Sequence, residues 1–439
     1  MIISENNFYP SAFITKAKMN FWRASTFWVL LIGYIGYYLC RANLSAAFPL
    51  LSKEFNFSNS DLGLIAMYSE LVYALGKFIN GPIGDRLGSK KIFLLGMLGA
   101  IVSNLAFAQG SSLNYFIVVW CICRYFLSMG WGGVVKTVGA WYPPEKNGTI
   151  MGIISISFQL GGVIATLFAG YLVSQKYGWE KIFIYPAFAL GLIMVLSFLF
   201  MKSSPEDVNG YPQTLKNDFS TTDAVQSSTF NVLKELLTLR LFQQLLLFSF
   251  FTTFLRSMFM FWTAKFLVDI GMKDSAAIVA SSVFPLVGCL GTFVLGWYTD
   301  NFSKNGDRSK AIMIMLLLLA VCLFTISEIM QLQLTPTNIN IIILLIGLSG
   351  FFLLGPYSMS AGCMTLDITG PRTAATAAGW IDGVGYLGGA LAVWATGAIA
   401  DSMGWRQVFL VLGSFALASA FSALMMGKVK KQSTRLIRL

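Results

Sequence analysis

Repeated apolar runs, each long enough to thread a bilayer, constrain this chain more than any other feature of its sequence. They occupy residues 25–39, 92–108, 182–201, 241–255, 311–326 and 341–354. A helix needs about 20 apolar residues to cross a hydrocarbon core of ~30 Å, and with flanking residues added several runs approach or reach that length. Charged residues make up 12% of the chain and hydrophobic ones 56%. That is roughly half the charge a water-facing surface requires. The alternating segments of about 10 residues that build a membrane barrel are missing. An all-α membrane protein is expected.

Periodicity and turn residues place helices near 25–50, 61–82, 91–110, 113–137, 149–174, 181–201, 239–267, 275–298, 310–330, 338–360, 373–397 and 405–427. The long polar stretch 202–234, rich in Pro, Ser, Thr and Asp, is expected to be a cytoplasmic linker with a short surface helix at 232–239. It divides twelve transmembrane helices into two six-helix halves, 1–201 and 238–439, joined by 202–237. Transporters built from two parallel halves are arranged this way.

The net charge of +11 raises nucleic-acid binding, but its distribution points elsewhere. Cations gather at Lys16, Lys18 and Arg23, at Arg86, Lys90 and Lys91, at Lys146, at Lys304, Arg308 and Lys310, at Arg372, and in the tail from Lys428 to Arg438. These groups fall in alternate connections. Residues 109–114 and 331–340 carry no Lys or Arg, while Lys53, Lys176, Lys181, Lys273 and Arg406 run against the bias. The positive-inside rule then places both termini in the cytoplasm. Six cysteines lie in apolar segments and histidine is absent, so disulfides, zinc sites and histidine proton relays are not expected. The first 20 residues lack a cleavable signal pattern.

Two segments echo each other. GPIGDRLGSKK ends the second span and GWYTDNFSK the eighth. Both give Gly-x-x-x-Asp, so Gly81, Asp85, Arg86, Gly88 and Asp300 are expected to be structural and gating elements. Charges within spans are costly, about 2.5–3.5 kcal/mol each, and so mark candidate sites. Arg41 is the only charge among the 29 residues between Arg23 and Lys53, and Arg256 stands alone between Arg240 and Lys265. Each lies in the first helix of its half. Two guanidiniums facing one cavity would clamp a phosphate or carboxylate; bracing of the bundle is the alternative. Tyr34, Tyr38 and Arg41 share helical spacing, as do Glu70, Tyr73 and Lys77. Packing competes with binding for the tyrosines, and snorkelling competes for Lys77. Lys136 is better explained by snorkelling. Arg124 serves helix packing or coupling at least as well as ligand contact. Glu70 and Asp382 either neutralise Lys77 or Arg124 or carry a proton.

These segments identify a resemblance. The first loop fits the major facilitator signature Gly-x-x-x-Asp-Arg-x-Gly-x-Lys-Lys at every fixed position, and RYFLSMGWGG is similar to a second signature of that superfamily. YYLCRANLSAAFPLL, SMGWGGVVKTVGAWYPPEKNGT, TFLRSMFMFW, LGPYSMSAG and AATAAGWIDGVGYLGG extend the likeness over nearly the whole chain. The chain resembles the organophosphate:phosphate antiporters, a family of glycerol-phosphate and hexose-phosphate transporters. The resemblance implies a major facilitator fold in which Arg41 and Arg256 hold phosphate, with Lys77, Tyr38, Tyr73 and Tyr34 around them. It has departures. Phe158 replaces a pocket histidine, Phe261 an acidic residue, and Pro285 falls near a glutamate. Gly132 and Gly133 replace paired prolines, and Glu70, Arg124 and Asp382 are additions.

The function expected is therefore alternating-access transport of an organic phosphate in exchange for inorganic phosphate. A proton-coupled carrier of a polycarboxylate, such as a citrate-type metabolite or siderophore, is the runner-up, and a sugar-phosphate sensor of the same fold is a third reading. No enzyme motif, metal cluster or cofactor site is apparent. The expected partners are a small anionic solute and the lipid bilayer, not nucleic acid, and a monomer suffices. A bacterial inner membrane is the expected location.

Overall fold

The computed structural model describes residues 16–142, 144–208, 236–302, 308–360 and 363–437. Those residues form helices and no strands. Twelve helices are long and apolar enough to cross a membrane. The first six spans are Ala17–Phe55, Asn59–Asn80, Ser89–Phe107, Leu113–Trp141, Ile156–Ser174 and Lys181–Phe200. The last six are Arg240–Asp269, Asp274–Thr299, Ser309–Ile329, Pro336–Ser360, Gly379–Met403 and Trp405–Lys428. The eleventh belongs to a longer helix, Cys363–Met403. Residues 209–235 of the expected linker, including the start of its surface helix, lie outside the described residues.

Burial separates inner spans from outer ones. In the 18-residue apolar stretch of the seventh span 67% of residues are buried, against 33% in that of the sixth. The sixth span's Phe188, Leu192 and Phe198 are exposed, as suits a face that meets lipid tails rather than water. Small residues set the closest approaches. A Cβ on Gly291 would stand 2.0 Å from the Phe351 carbonyl oxygen, and one on Gly350 would stand 2.1 Å from that of Phe284. The eighth and tenth spans therefore meet backbone to backbone.

The first span is not one continuous helix. It runs Lys16–Leu39 and resumes at Asn43–Phe55, with a turn between that holds Arg41. The amides of Arg41 and Ala42 both bond the Tyr38 carbonyl, at 3.1 and 3.0 Å. Opening the helix frees the Cys40 carbonyl, which accepts from the Asn104 side chain of the third span at 3.3 Å. Asn43 also donates to Asn104, at 2.6 Å. A side chain that meets a freed carbonyl is a recognised cause of a break. The fourth span breaks likewise at Ser128 and the eighth at Ser282.

The second span begins with a capping box: Asp61 N donates to Ser58 Oγ at 3.1 Å, and Ser58 N donates to Asp61 at 3.0 Å. Helix N-termini leave amides without internal partners. Two of those amides here are satisfied from the other half of the chain. Asn59 N and Ser60 N donate to the Asp401 carboxylate at 3.1 and 2.7 Å, joined by Ser60 Oγ at 2.7 Å. Nearby, Lys53 pairs with Asp274 at 2.6 Å. At this end of the bundle the two halves are tied shut. Toward the opposite end, the helix of the second span continues to Leu87 and Gly88 terminates it at φ 85°, a conformation that glycine adopts without strain. Arg86 is exposed beside it. Gly81, Asp85 and Asp300 lie on helical backbone, and the side chains of the two aspartates lie outside the described residues.

Candidate functional site

Arg41 projects from the turn into the centre of the bundle. Its Nη1 donates to the Tyr73 hydroxyl at 2.9 Å and its Nη2 to that of Tyr386 at 3.4 Å. The guanidinium also lies 4.4 Å from the Tyr73 ring centroid and 5.2 Å from that of Tyr38, within cation–π range. Arg256, from the middle of the seventh span, is 9% exposed and stands 4.8 Å from the Tyr357 ring centroid. Both arginines line one cavity. Tyr38, Glu70 and Arg124 share its wall, along with Ser45, Thr166 and Ser257. Phe259, Met260, Phe261 and Pro285 give it an apolar side.

Four cations meet at this level, and two are already neutralised. Arg124 donates to Glu70 in a salt bridge whose partners are 1% and 3% exposed. Lys77 pairs with Asp382 at 2.8 Å, joining the second span to the eleventh. Arg41 touches two hydroxyls and Arg256 the Tyr357 ring, but among the described residues neither has a carboxylate within ion-pair distance. A buried charge without a counterion is strongly unfavourable, and arginine cannot shed its proton to escape. Two such guanidiniums on one cavity wall suit an anionic group.

The structure rearranges part of the sequence-derived site. Tyr34 does not line the cavity. It is buried against Tyr37, Tyr38 and Trp131, with ring centroids 5.9, 5.7 and 5.1 Å away. Of the stripe Tyr34, Tyr38 and Arg41, the last two stay together on the cavity wall, the guanidinium 5.2 Å from the Tyr38 ring centroid, although the helix ends at Leu39. Tyr73 stands behind Arg41 as a hydrogen-bond partner, and Lys77 lies outside the cavity wall, held by Asp382. Lys136 donates to the Gly84 carbonyl at 3.2 Å, tying the fourth span to the loop end of the second. Phe158 packs on Tyr38 with centroids 6.3 Å apart. Sequence reasoning missed Tyr386 and Tyr357. Tyr386 follows Asp382 by one helical turn, and that spacing was a usable signal. Tyr357 sits in LGPYSMSAG with no charge nearby to mark it.

A two-halved helical bundle sealed at one end, with two cations in a central cavity that have no ion-pair partner among the described residues, is the architecture of a solute carrier. The family described as the Major Facilitator Superfamily matches residues 30–329 and 245–436. The chain belongs to the Major Facilitator Superfamily. It is 26% identical over 437 residues to the "Probable hexose phosphate transport protein" of Chlamydia pneumoniae, covering 94% of this chain and 92% of that one. It is 28% identical over 421 residues to the "Glycerol-3-phosphate transporter" of Bacillus subtilis, covering 92% of each. The "Membrane sensor protein UhpC" of Escherichia coli is 24% identical over 422 residues, covering 93% of this chain and 92% of the sensor. Among solved structures, an inward-facing, unoccupied bacterial homologue of the human lysosomal transporter Spinster superposes with TM-score 0.75 at 17% identity, covering 93% of this chain and 97% of that one. The D-xylose-proton symporter superposes with TM-score 0.72 at 14% identity, covering 91% and 97%. These structures share the fold. The resemblance to the organophosphate:phosphate antiporters extends to the relatives' names.

Proposed function

We propose that this chain carries an organic phosphate, a sugar phosphate or glycerol phosphate, across a bacterial inner membrane in exchange for inorganic phosphate. Both termini face the cytoplasm in this reading, so the end sealed by Asp401 and by Lys53 with Asp274 faces outward. The observation that carries the reading is the charge state of the cavity. Arg41 and Arg256 come from opposite halves and, among the described residues, have no carboxylate in ion-pair contact, while Arg124 and Lys77 do. Guanidinium forks match phosphate oxygens in bidentate geometry. A phosphate held between them draws the first and seventh spans together. That differential contact biases the halves toward closure around the solute, as population shift requires. The residues expected to act are Arg41 and Arg256 as the clamp, Tyr38 as a wall, and Tyr73 and Tyr386 as supports for Arg41. Lys77 and Asp382 join the halves beside them, and Tyr34 is packing.

Thermal stabilisation of the purified protein tests this reading. Glycerol 3-phosphate, glucose 6-phosphate and inorganic phosphate are expected to raise the unfolding temperature, since a ligand that binds the folded state adds RT ln(1 + [L]/Kd). Citrate is expected to have little effect. Stabilisation by citrate with silence from every phosphate would keep the fold and remove the proposed substrate.

A further inference from the structure

Three cations crowd one buried phenol. Tyr73, on the second span, is 1% exposed, and the guanidinium carbons of Arg41 and Arg124 each stand 4.4 Å from its ring centroid. The Lys77 ammonium lies 5.5 Å from the same centroid. The Tyr73 hydroxyl accepts from Arg41 Nη1 at 2.9 Å, and among the described residues nothing accepts its own proton. Its other titratable neighbours are Tyr34 and Tyr37 of the first span and Tyr386 of the eleventh, whose ring centroid is 5.0 Å away. Glu70 and Asp382 stand one contact further out, on Arg124 and Lys77. With those two cations neutralised, the charge left over at Tyr73 is that of Arg41. Arginine cannot shed its proton. A phenol can, and an opposite charge within about 4–6 Å favours the ionised form. Tyr386 shares Arg41, but its bond is longer, 3.4 Å, and only the Lys77 ammonium, 4.7 Å away, lies over its ring.

We propose that Tyr73 is a switchable counterion: it holds Arg41 as a phenolate and takes up one proton when a phosphate dianion replaces it there. The inference rests on the phosphate reading above and adds a proton to each binding event. The bond that forms is the phenol O–H. The proton comes from solvent by way of the cavity that Arg41 lines, and release of the phosphate returns it. Loading then changes the charge of the site by one unit instead of two. Charge in a low-dielectric interior is costly, so the smaller change eases the passage of a dianion. Each phosphate brings its own proton, so exchange of an ester for inorganic phosphate moves no net proton.

Glycerol 3-phosphate and glucose 6-phosphate test this above pH 8, where a phosphate monoester, with its second pKa at about 6, is a dianion. Each is added to the purified wild type, Tyr73→Phe and Tyr386→Phe in weakly buffered solution. Thermal stabilisation reports binding, and the red-shifted ultraviolet band of tyrosinate and the uptake of protons report the phenol. In the wild type, the ester that binds is expected to remove one tyrosinate per chain and to take up one proton. Between pH 8 and 9 the wild-type affinity is expected to fall about tenfold, as linkage to one proton requires. Tyr73→Phe is expected to bind without either signal and with an affinity that ignores pH over that interval. Tyr386→Phe is expected to keep both signals. An ester that stabilises the wild type without either signal overturns the inference and leaves the phosphate reading standing. Signals that survive in Tyr73→Phe do the same. Failure of both esters to stabilise the wild type overturns the phosphate reading itself, and this inference with it.

Discussion

Arg41→Ala is expected to abolish uptake of phosphate esters in reconstituted vesicles while leaving the protein folded and monodisperse. Arg41 lies in a turn, so its removal does not interrupt a helix. Truncating one partner of a buried, hydrogen-bonded charge pair costs about 2–5 kcal/mol, or roughly 30- to 5,000-fold in affinity. The loss should fall at the upper end, because Tyr73 and Tyr386 are oriented by the same guanidinium and lose their partner with it. Arg256→Ala should match it in direction. Lys has a single ammonium in place of the planar fork, so Arg41→Lys should recover little. Ester uptake within threefold of wild type in Arg41→Ala would remove the clamp from the account.

The second large effect concerns the sealed end of the bundle. A Cβ at Gly397 would stand 2.3 Å from the carbonyl oxygen of Asn59 and 3.1 Å from the Trp262 ring. A carbonyl oxygen cannot yield as a flexible side chain can. Gly397→Val must therefore push the eleventh span off the second, at the point where Asp401 accepts from Asn59 and Ser60. Overpacking of this kind typically costs about 1–3 kcal/mol, enough to depopulate the closed conformation by roughly 5- to 150-fold. Transport that requires both conformations should fall by at least about fivefold. Stabilisation by the ester should persist, because Gly397 does not line the cavity. Wild-type uptake by Gly397→Val would show that closure at this end is not needed in the cycle.

The fold was written plainly in the chain because bilayer thickness acts on each span separately. A run such as 182–201 has to be a spanning helix whatever surrounds it, and the sixth span, Lys181–Phe200, follows it almost residue for residue. The break at residues 40–42 was not legible. It depends on Asn104, 64 positions from Cys40, reaching a carbonyl that a continuous helix would have satisfied internally. The same distance effect governs the charges. Arg41 and Arg256 were legible as isolated cations within apolar helices. The choice of partners for Arg124 and Lys77 was not, since Glu70 lies 54 positions from one and Asp382 lies 305 positions from the other. Helical spacing had grouped Lys77 with Glu70 and Tyr73, yet the structure turns Lys77 to the eleventh span and Glu70 to the fourth. A face shared on one helix does not determine which neighbour each residue meets.

Counterflow is the most direct test of the central claim, that the two unpaired arginines hold a phosphate group while the halves exchange access. Proteoliposomes are loaded with glycerol 3-phosphate, glucose 6-phosphate, citrate or buffer, and the initial entry of labelled inorganic phosphate is followed. Entry is predicted to rise at least tenfold over buffer when a phosphate ester is inside, to survive a protonophore, and to vanish in Arg41→Ala and Arg256→Ala. Phosphate entry that ignores the internal ester, or that responds to citrate instead, would contradict the account.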